Sequence, residues 1–162
     1  PAADTQFGNA ILSRIPLIEL AYGTLPTEGI PQRRSYQMVA LDVGGQTLNL
    51  INTHLSAWVG PESHIAQVQV LLDAWNGAPY TLITGDMNSQ PDGVDMQMVY
   101  AAGFDSAQDQ AGDPTAFTAN SRNPTVRIDY IFGTPDIAFS EFVIPQSQAS
   151  DHFPQAAAVT LR

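Results

Sequence analysis

The stretch Leu82-Ile83-Thr84-Gly85-Asp86-Met87-Asn88-Ser89-Gln90-Pro91 is the most informative part of this 162-residue chain. An apolar, strand-like run ends at Gly85, and an acid and a carboxamide follow it at positions 86 and 88. Because residues two apart in an extended segment point to the same side, we expect Asp86 and Asn88 to lie together at a strand end. Such a pair can hold and activate a water molecule. An ordinary turn rich in Asp and Asn is the alternative.

Other polar groups also stand at the edges of short apolar segments. The run Leu48-Asn49-Leu50-Ile51-Asn52-Thr53-His54-Leu55 ends in a histidine, and Arg127-Ile128-Asp129-Tyr130-Ile131-Phe132 begins beside an acid. The segment Ser150-Asp151-His152-Phe153-Pro154 follows near the C-terminus. Together with Asp86 they supply a base, two imidazoles and an acid that can bind a metal.

The composition is typical of a soluble globular domain, with 44% hydrophobic residues and a mean hydropathy of −0.07. The length suits one domain, and no apolar run approaches the roughly 18 residues that span a bilayer. Since the chain has no cysteine, a metal would be a hard ion bound by oxygen. The six basic residues are all arginine against 16 acids, giving a net charge of −10. This charge disfavours a polyanion as partner and favours a small phosphoester or a lipid headgroup.

Hydrophobic periodicity and turn signals predict mostly strands with two intervening helices, an α+β layered arrangement. The helices are expected from Pro61 to Gly77 and over residues 94–102, with residues 105–125 as a loop. Strands are predicted at residues 9–14, 17–22, 36–43, 47–53, 80–84, 127–132, 137–144 and 156–161, the third and fourth of them forming a hairpin around Gly44-Gly45.

Five motifs together resemble the endonuclease/exonuclease/phosphatase superfamily, which includes pancreatic-type deoxyribonuclease, apurinic endonucleases, neutral sphingomyelinases and inositol polyphosphate 5-phosphatases. Their order along the chain matches that of the family. The motifs are Gly8-Asn9-Ala10-Ile11-Leu12-Ser13-Arg14, Asn52-Thr53-His54-Leu55, Gly85-Asp86-Met87-Asn88-Ser89, Arg127-Ile128-Asp129-Tyr130 and Ser150-Asp151-His152.

The resemblance implies two packed β-sheets flanked by helices, the four-layer α/β sandwich of the deoxyribonuclease I-like type. Residues 1–162 would be a single domain that corresponds to the C-terminal portion of this fold, truncated at its N-terminus. In the family, a first strand with an Asn and a second with a metal-binding Glu precede the Gly8 motif. Without that Glu, Mg²⁺ or Mn²⁺ would be held weakly.

The resemblance also implies roles for six residues. Asp86 would accept a proton from the attacking water or orient it, and Asn88 would hold the same water or a phosphate oxygen. His152, oriented and made more basic by Asp129, would stabilise charge on the phosphate. His54 would be a second phosphate contact.

Asp151 would approach the metal, often through water. Structural alternatives stay open: an exposed strand-end His54, a half-buried His152 before Pro154, and an Asp129 neutralised by Arg127. His64 is expected to be a solvated or flanking helix residue without a role. Arg33-Arg34 is expected to be surface solvation.

The leading functional hypothesis is a metal-dependent phosphoesterase that cleaves a phosphodiester or phosphomonoester by in-line attack of water. A nuclease of the same superfamily is the second, with nucleic acid the less favoured substrate. The third is a catalytically incomplete interaction module, which self-associates or packs against the family's N-terminal portion because a sheet edge would otherwise be open. The sequence does not indicate a cellular compartment.

Overall fold

The computed structural model describes residues 8–27 and 32–162, apart from the side chains of Glu19 and Leu20. Eight strands and three helices follow one another in the described residues. In chain order they are β1 (Leu17–Leu25), β2 (Arg34–Val43), β3 (Gln46–His54), α1 (Pro61–Trp75), β4 (Thr81–Asp86), α2 (Val94–Ala101), β5 (Asp105–Ser106), α3 (Ala107–Ala111), β6 (Asp129–Gly133), β7 (Ile137–Val143) and β8 (Ala156–Leu161).

Six strands form one sheet in the order β1-β2-β3-β4-β6-β5. All neighbours are antiparallel except β3 and β4, which are parallel and connected through α1. Because β3 and β4 run in the same direction, their carboxyl ends reach the same edge of the sheet. Strands β7 and β8 form a separate two-stranded antiparallel sheet.

Two hydrophobic clusters hold the layers together, one on each face of the large sheet. On one face, Ile51, Ile83 and Phe132 pack with the apolar sides of α1 and α2. On the other face, Leu82 packs with Phe139 and other residues of the small sheet. Alternate residues within each strand therefore point into different cores. The fold is mixed α/β with a large sheet between helices and a small second sheet, as the predicted fold class requires.

Most predicted elements are present. The Gly44-Gly45 hairpin has both glycines at positive φ, 65° and 89°, the conformation that a tight turn between twisted strands needs. Helix α1 begins at Pro61 and ends at Trp75, followed by Asn76 in the left-handed region. Among the described residues, no helix is both long and apolar enough to cross a membrane.

Two predictions of local structure are wrong. Residues 9–14 do not form a strand; side-chain hydrogen bonds attach this segment, from Asn9 to the Ser35 carbonyl and from Asn52 to the Ala10 carbonyl. The predicted loop at residues 105–125 begins with β5 and α3. Arg127 stabilises that region by donating to Asp109, a contact between elements that local sequence does not encode. The prolines and glycine between Thr24 and Gln32 also predict a loop; β1 extends to Leu25, and residues 28–31 lie outside the described residues.

Candidate active site

Strand pairing brings three of the predicted site residues side by side. His54 ends β3 and is the register partner of Asp86 at the end of β4, which in turn faces Asp129 at the start of β6. All three lie at the same edge of the large sheet. In each of these strands, an even number of positions separates the site residue from an apolar residue that packs on the small-sheet face. Residues an even number apart in a strand point to the same face, so the three site side chains lie on that face.

Asp86 stands at the centre of this cluster. Its Oδ2 lies 3.3 Å from Nε2 of His54 and 4.0 Å from Nδ1 of His152. Its Oδ1 accepts the backbone N–H of Asn88 at 2.8 Å. One carboxylate therefore contacts two imidazoles that are far apart in the sequence.

The pairing of His152 with Asp129 is present as the family resemblance implied. Nδ1 of His152 lies 3.0 Å from both carboxylate oxygens of Asp129. The main chain fixes this approach, because the segment at His152 forms a β-bridge with Ala119. The hydroxyl of Thr118 accepts the backbone N–H of Asp129 at 3.1 Å. None of the described residues hydrogen-bonds Nε2 of His152, which leaves that nitrogen able to donate to a ligand.

Asn88 occupies its position through a turn rather than through extended backbone. Its φ is 48°, and its backbone N–H binds Asp86, as in a turn stabilised by an aspartate. Its Nδ2 donates to the Leu55 carbonyl at 3.0 Å and so connects the ends of β4 and β3. The turn alternative and the site prediction are therefore both compatible with this geometry.

Gly85 permits the close approach of β3 and β4 just before the site. Its φ is 144°, and a Cβ built there would lie 1.9 Å from the Thr53 carbonyl oxygen. Any side chain at this position would push the two strands apart. The glycine in the opening sequence stretch is therefore required by the spacing between His54 and Asp86.

The two site histidines have pKa values that shift in opposite directions. Burial acts to lower the pKa of His152, but the hydrogen bond to Asp129 and the negative charges of Asp129, Asp86 and Asp151 outweigh it and raise the pKa. For His54, burial lowers the pKa, the charges of Arg34 and His152 add to the decrease, and Asp86 opposes it. The site therefore favours the protonated form of His152 and the neutral form of His54.

Burial also raises the pKa of Asp129, against the effects of Thr118 and His152. The negative charge of Asp129 and its contact with Nδ1 favour the protonated form of His152.

A possible metal site lies within the same cluster. One ligand atom from each of Asp86, Asp129 and His152 can be chosen so that all three lie within 4.8 Å of one another. Two carboxylates beside an imidazole are a donor set that suits a divalent cation such as Mg²⁺ or Mn²⁺. Asp151 is exposed, accepts a hydrogen bond from Ser150 at 3.2 Å and is outside this group, so its assignment as a metal ligand stays a prediction.

Three site neighbours were not predicted. Arg34, expected to be surface solvation, is only 6% exposed, and its charge and that of Asp86 act on each other. Asn52 and Gln155 line the hollow of about 360 Å³ beside Asp86 and Asp129. Asn52 belongs to the same motif as His54 and lies two residues before it, so the two-residue period of a strand predicts that both side chains share one face. No pattern in the local sequence marks Arg34 or Gln155 as neighbours of the site.

Two further expectations about charged residues are corrected by the structure. Arg127 does not neutralise Asp129, because its guanidinium binds Asp109 at 2.5 Å and the Ser106 hydroxyl at 2.8 Å. His64 is not solvated: it is 8% exposed and bonded to the Ser56 carbonyl.

A larger cavity is lined in part by Asp151, the residue directly before His152. Its volume is about 680 Å³, within the range of small-molecule sites. No aromatic side chain is among the residues that line it: Asn120, Ser121, Arg122, Asn123, Thr125, Gln148, Ser150 and Asp151. Arg122 is its one cationic residue among these, and Asp151 connects the cavity to His152.

Several solved structures share this fold at low sequence identity. An endonuclease/exonuclease/phosphatase from Beutenbergia cavernae DSM 12333 matches 92% of this chain with a TM-score of 0.81 and 24% identity. The Bacteroides thetaiotaomicron mannosyl-6-phosphatase matches 91% with a TM-score of 0.77 and 16% identity. A D. rerio TDP2 structure complexed with a single-strand DNA product matches 91% with a TM-score of 0.70 and 19% identity.

The chain spans 46% of the B. cavernae protein, 67% of the mannosyl-6-phosphatase and 69% of TDP2. No curated protein matches it. The model of the Endonuclease/Exonuclease/phosphatase family matches residues 1–152, a range that includes His54, Asp86, Asn88, Asp129 and His152. The family model, the shared fold and the arrangement of the motifs agree with one another. The chain therefore belongs to the endonuclease/exonuclease/phosphatase family, whose members are metal-dependent phosphoesterases and nucleases.

Proposed function

We propose that this domain hydrolyses a small, polar phosphoester by in-line attack of water, assisted by a divalent cation. The observation that carries the proposal is the contact of one carboxylate, Asp86, with two imidazoles of opposite pKa shift. Pairs of titratable groups whose environments separate their pKa values are typical of acid–base and phosphate-binding sites.

In the proposed reaction, the water oxygen bonds to phosphorus while Asp86 accepts its proton. The ester oxygen departs on the opposite side with the electrons of the broken P–O bond. His152 donates a hydrogen bond from Nε2 to a non-bridging oxygen, where negative charge increases in the transition state. Asp129 keeps that imidazole protonated and correctly oriented.

His54 and Asn88 have supporting roles in this proposal. His54 orients the Asp86 carboxylate and contacts the phosphate, and Asn88 fixes the turn that presents Asp86. The site acids Asp86 and Asp129, with Asp151 nearby, are the residues that would hold the cation. When bound, such an ion supplies Lewis-acid stabilisation of charge on phosphate and the leaving group.

The polar cavity beside His152 supports a substrate with a hydrophilic leaving group. Its lining offers hydroxyl, amide and guanidinium groups, which suit a sugar or another polyhydroxyl group better than an acyl chain. One of the similar structures is a mannosyl-6-phosphatase, and a sugar phosphate is such a substrate. The net charge of −10 also favours a small substrate over a polyanion.

A nuclease activity is the second candidate, since the similar TDP2 structure contains a single-strand DNA product. Nucleic-acid binding depends largely on neutralising phosphates with cationic residues. This chain has six such residues, and Arg127 is engaged by Asp109. We therefore rank DNA below a small phosphoester.

The test is hydrolysis of chromogenic phosphomonoesters, sugar phosphates and a bis-phosphodiester with Mg²⁺ or Mn²⁺, alongside plasmid nicking at low salt. We expect turnover of the small esters, and a decrease in kcat of about a thousandfold in Asp86→Asn. The matched control is Asp136→Asn, at the opposite end of β4, where the carboxylate accepts the backbone N–H of Tyr80 at 3.0 Å. Equal turnover by wild type and Asp86→Asn would contradict the proposal, and nicking without ester turnover would favour the nuclease.

A further inference from the structure

A second histidine–carboxylate pair is buried behind the site, between the two larger helices. His64 comes from the first turn of α1 and Asp95 from the first turn of α2. Nδ1 of His64 lies 3.3 Å from Oδ2 of Asp95, and the two residues are 8% and 4% exposed. Buried charged groups are rarely retained without a partner or a function, because their desolvation costs free energy.

The His64 side of the pair holds the segment that follows β3. Its Nε2 lies 2.6 Å from the carbonyl oxygen of Ser56, two residues after His54. One helical turn later, Gln67 accepts the Ser56 backbone N–H at 3.0 Å and donates to its hydroxyl at 2.8 Å. Helix α1 therefore fixes every polar group of Ser56, and through it the direction in which the chain leaves His54.

The Asp95 side holds the segment that follows β4. Its Oδ1 accepts the hydroxyl of Ser89 at 2.7 Å, and Ser89 directly follows Asn88. The packing is tight here, since a Cβ on Gly93 would lie 2.4 Å from the Ser89 hydroxyl and 2.6 Å from Asp95. The Ser89 carbonyl also accepts the hydroxyl of Tyr130, next to Asp129.

The contacts of His64 show how the pair is held. The Ser56 carbonyl is an acceptor only, so Nε2 of His64 carries a proton and donates to it. Nδ1 lies 3.3 Å from Asp95 Oδ2, which is buried and makes no aligned hydrogen bond among the described residues, so the contact between the two side chains is electrostatic. The charged groups that act on His64 are Asp95 from α2 and Asp86 at the end of β4.

We propose that His64 and Asp95 form a positioning pair that sets the distance between the His54-bearing and the Asp86-bearing strand ends. Ser56, which follows β3, contacts His64, and Ser89, which follows β4, contacts Asp95. One buried pair of side chains therefore binds the segments that follow both strands. Loss of the pair lets these ends separate and moves Asp86 relative to His54. The effect on catalysis rests on the phosphoesterase function proposed above, whereas the effect on geometry does not.

The first test compares the kinetics of Asp95→Asn, His64→Gln and the double variant. Asparagine keeps the oxygen that accepts the Ser89 hydroxyl and removes only the charge. We expect kcat to fall by about ten- to a hundredfold in each single variant with KM nearly unchanged, as for other partners that orient reacting groups. The double variant should be no worse than the more impaired single variant, since the two residues act as a unit.

The matched control is Asp136→Asn, a carboxylate that is hydrogen-bonded at the far end of β4. It should lose thermal stability without losing kcat per folded molecule. If Asp95→Asn behaves in the same way, with a lower Tm and an unchanged kcat, the pair has a structural role only and the proposal is overturned.

A second test needs no substrate. The chain has three histidines, so the ring protons of His54, His64 and His152 can be resolved by NMR. In Asp95→Asn we expect the titration of His64 to move to lower pH and the ring signal of His54 to shift, while His152 changes little. An unshifted His54 signal would overturn the proposal. Absence of turnover in the wild type, with His54 shifted, would instead contradict the proposed function alone.

Discussion

Two histidine–aspartate pairs among the described residues both use Nδ1 of the imidazole but lie in different surroundings. The front pair, His152 with Asp129, has a separation of 3.0 Å and side chains that are 30% and 19% exposed. The rear pair, His64 with Asp95, has a separation of 3.3 Å and side chains that are 10% and 5% exposed. In both, a carboxylate faces Nδ1 of the imidazole. The contact alone therefore does not distinguish a reactive histidine from a structural one.

The second ring nitrogen makes the difference. In the rear pair, Nε2 of His64 is bonded to the Ser56 carbonyl, so both nitrogens are occupied. In the front pair, no described residue bonds Nε2 of His152, which is available to a substrate. The same contact thus stabilises the packing of two helices in the rear pair. In the front pair it leaves Nε2 of His152 as a hydrogen-bond donor for a phosphate.

The two carboxylates also differ in how burial is compensated. Burial raises the pKa of Asp129. For Asp95, burial acts in the same direction, but the contact with His64 and the hydrogen bond from Ser89 outweigh it and lower the pKa. Asp95 lies in the first turn of α2, where the helix dipole also favours a negative charge. The rear pair is therefore the better compensated of the two.

The largest expected effect comes from removing the front imidazole. We expect His152→Asn to lower kcat by about a hundred- to a thousandfold, because it loses the donor to the phosphate in the transition state. Thermal unfolding should change little, since the side chain is partly exposed. Steady-state kinetics and calorimetry of the same preparations check this. A loss of Tm with normal kcat per folded molecule would make the front pair structural like the rear one.

A smaller effect is expected when the front imidazole keeps its place but loses its charged partner. Asp129→Asn should lower kcat by about ten- to a hundredfold. The raised pKa of His152 should fall, because its hydrogen bond to a carboxylate is lost. Since the protonated ring is the active form, activity is lost as the pH rises through this pKa. The alkaline limb of the kcat profile should therefore move to lower pH, and an unmoved limb would contradict the assignment.

The smallest effect concerns the stability that the rear pair contributes at different pH values. The bond to Asp95 raises the pKa of His64, so its contribution is present below the ordinary histidine pKa of about 6.5 and is lost as the pH rises through the raised value. Asp95 has a lowered pKa, so its contribution is present above about 3.9 and is lost as the pH falls through the lowered value.

Between these limits we expect His64→Gln to reduce the free energy of unfolding by about 1.5 kcal/mol. The difference from wild type should be largest near pH 6 and should shrink at alkaline pH, when His64 is neutral in the wild type as well. Urea titrations at several pH values measure it. A difference that is constant with pH would show that the charge on His64 is not involved.

The contrast between the pairs also marks where sequence prediction succeeded. The turn Gly44-Gly45 and the apolar period of α1 are local signals, and the structure has the corresponding hairpin and helix. Asp86 and Asn88 were placed at a strand end by a two-residue spacing, although Asn88 reaches its position through positive φ. His152 and Asp129 were paired only through resemblance to the family, because 23 residues separate them.

The rear pair was not predicted, because nothing in the local sequence of α1 marks His64 as buried. Its burial depends on Asp95, which is 31 positions away on another helix, and on a backbone carbonyl that carries no sequence signal. Arg34 was assigned to the surface for the same reason. In each case the partner is supplied by another element, and single-sequence reasoning cannot place it.

The sequence by itself determined the layered α/β arrangement, the order of the motifs and the residue types that meet at the end of β4. These follow from hydrophobic period, turn chemistry and the composition of short segments, which act over a few residues. The tertiary structure alone decided which histidine faces an open site and which is enclosed. That distinction depends on which atoms of distant segments occupy the second ring nitrogen, and only the packed chain specifies them.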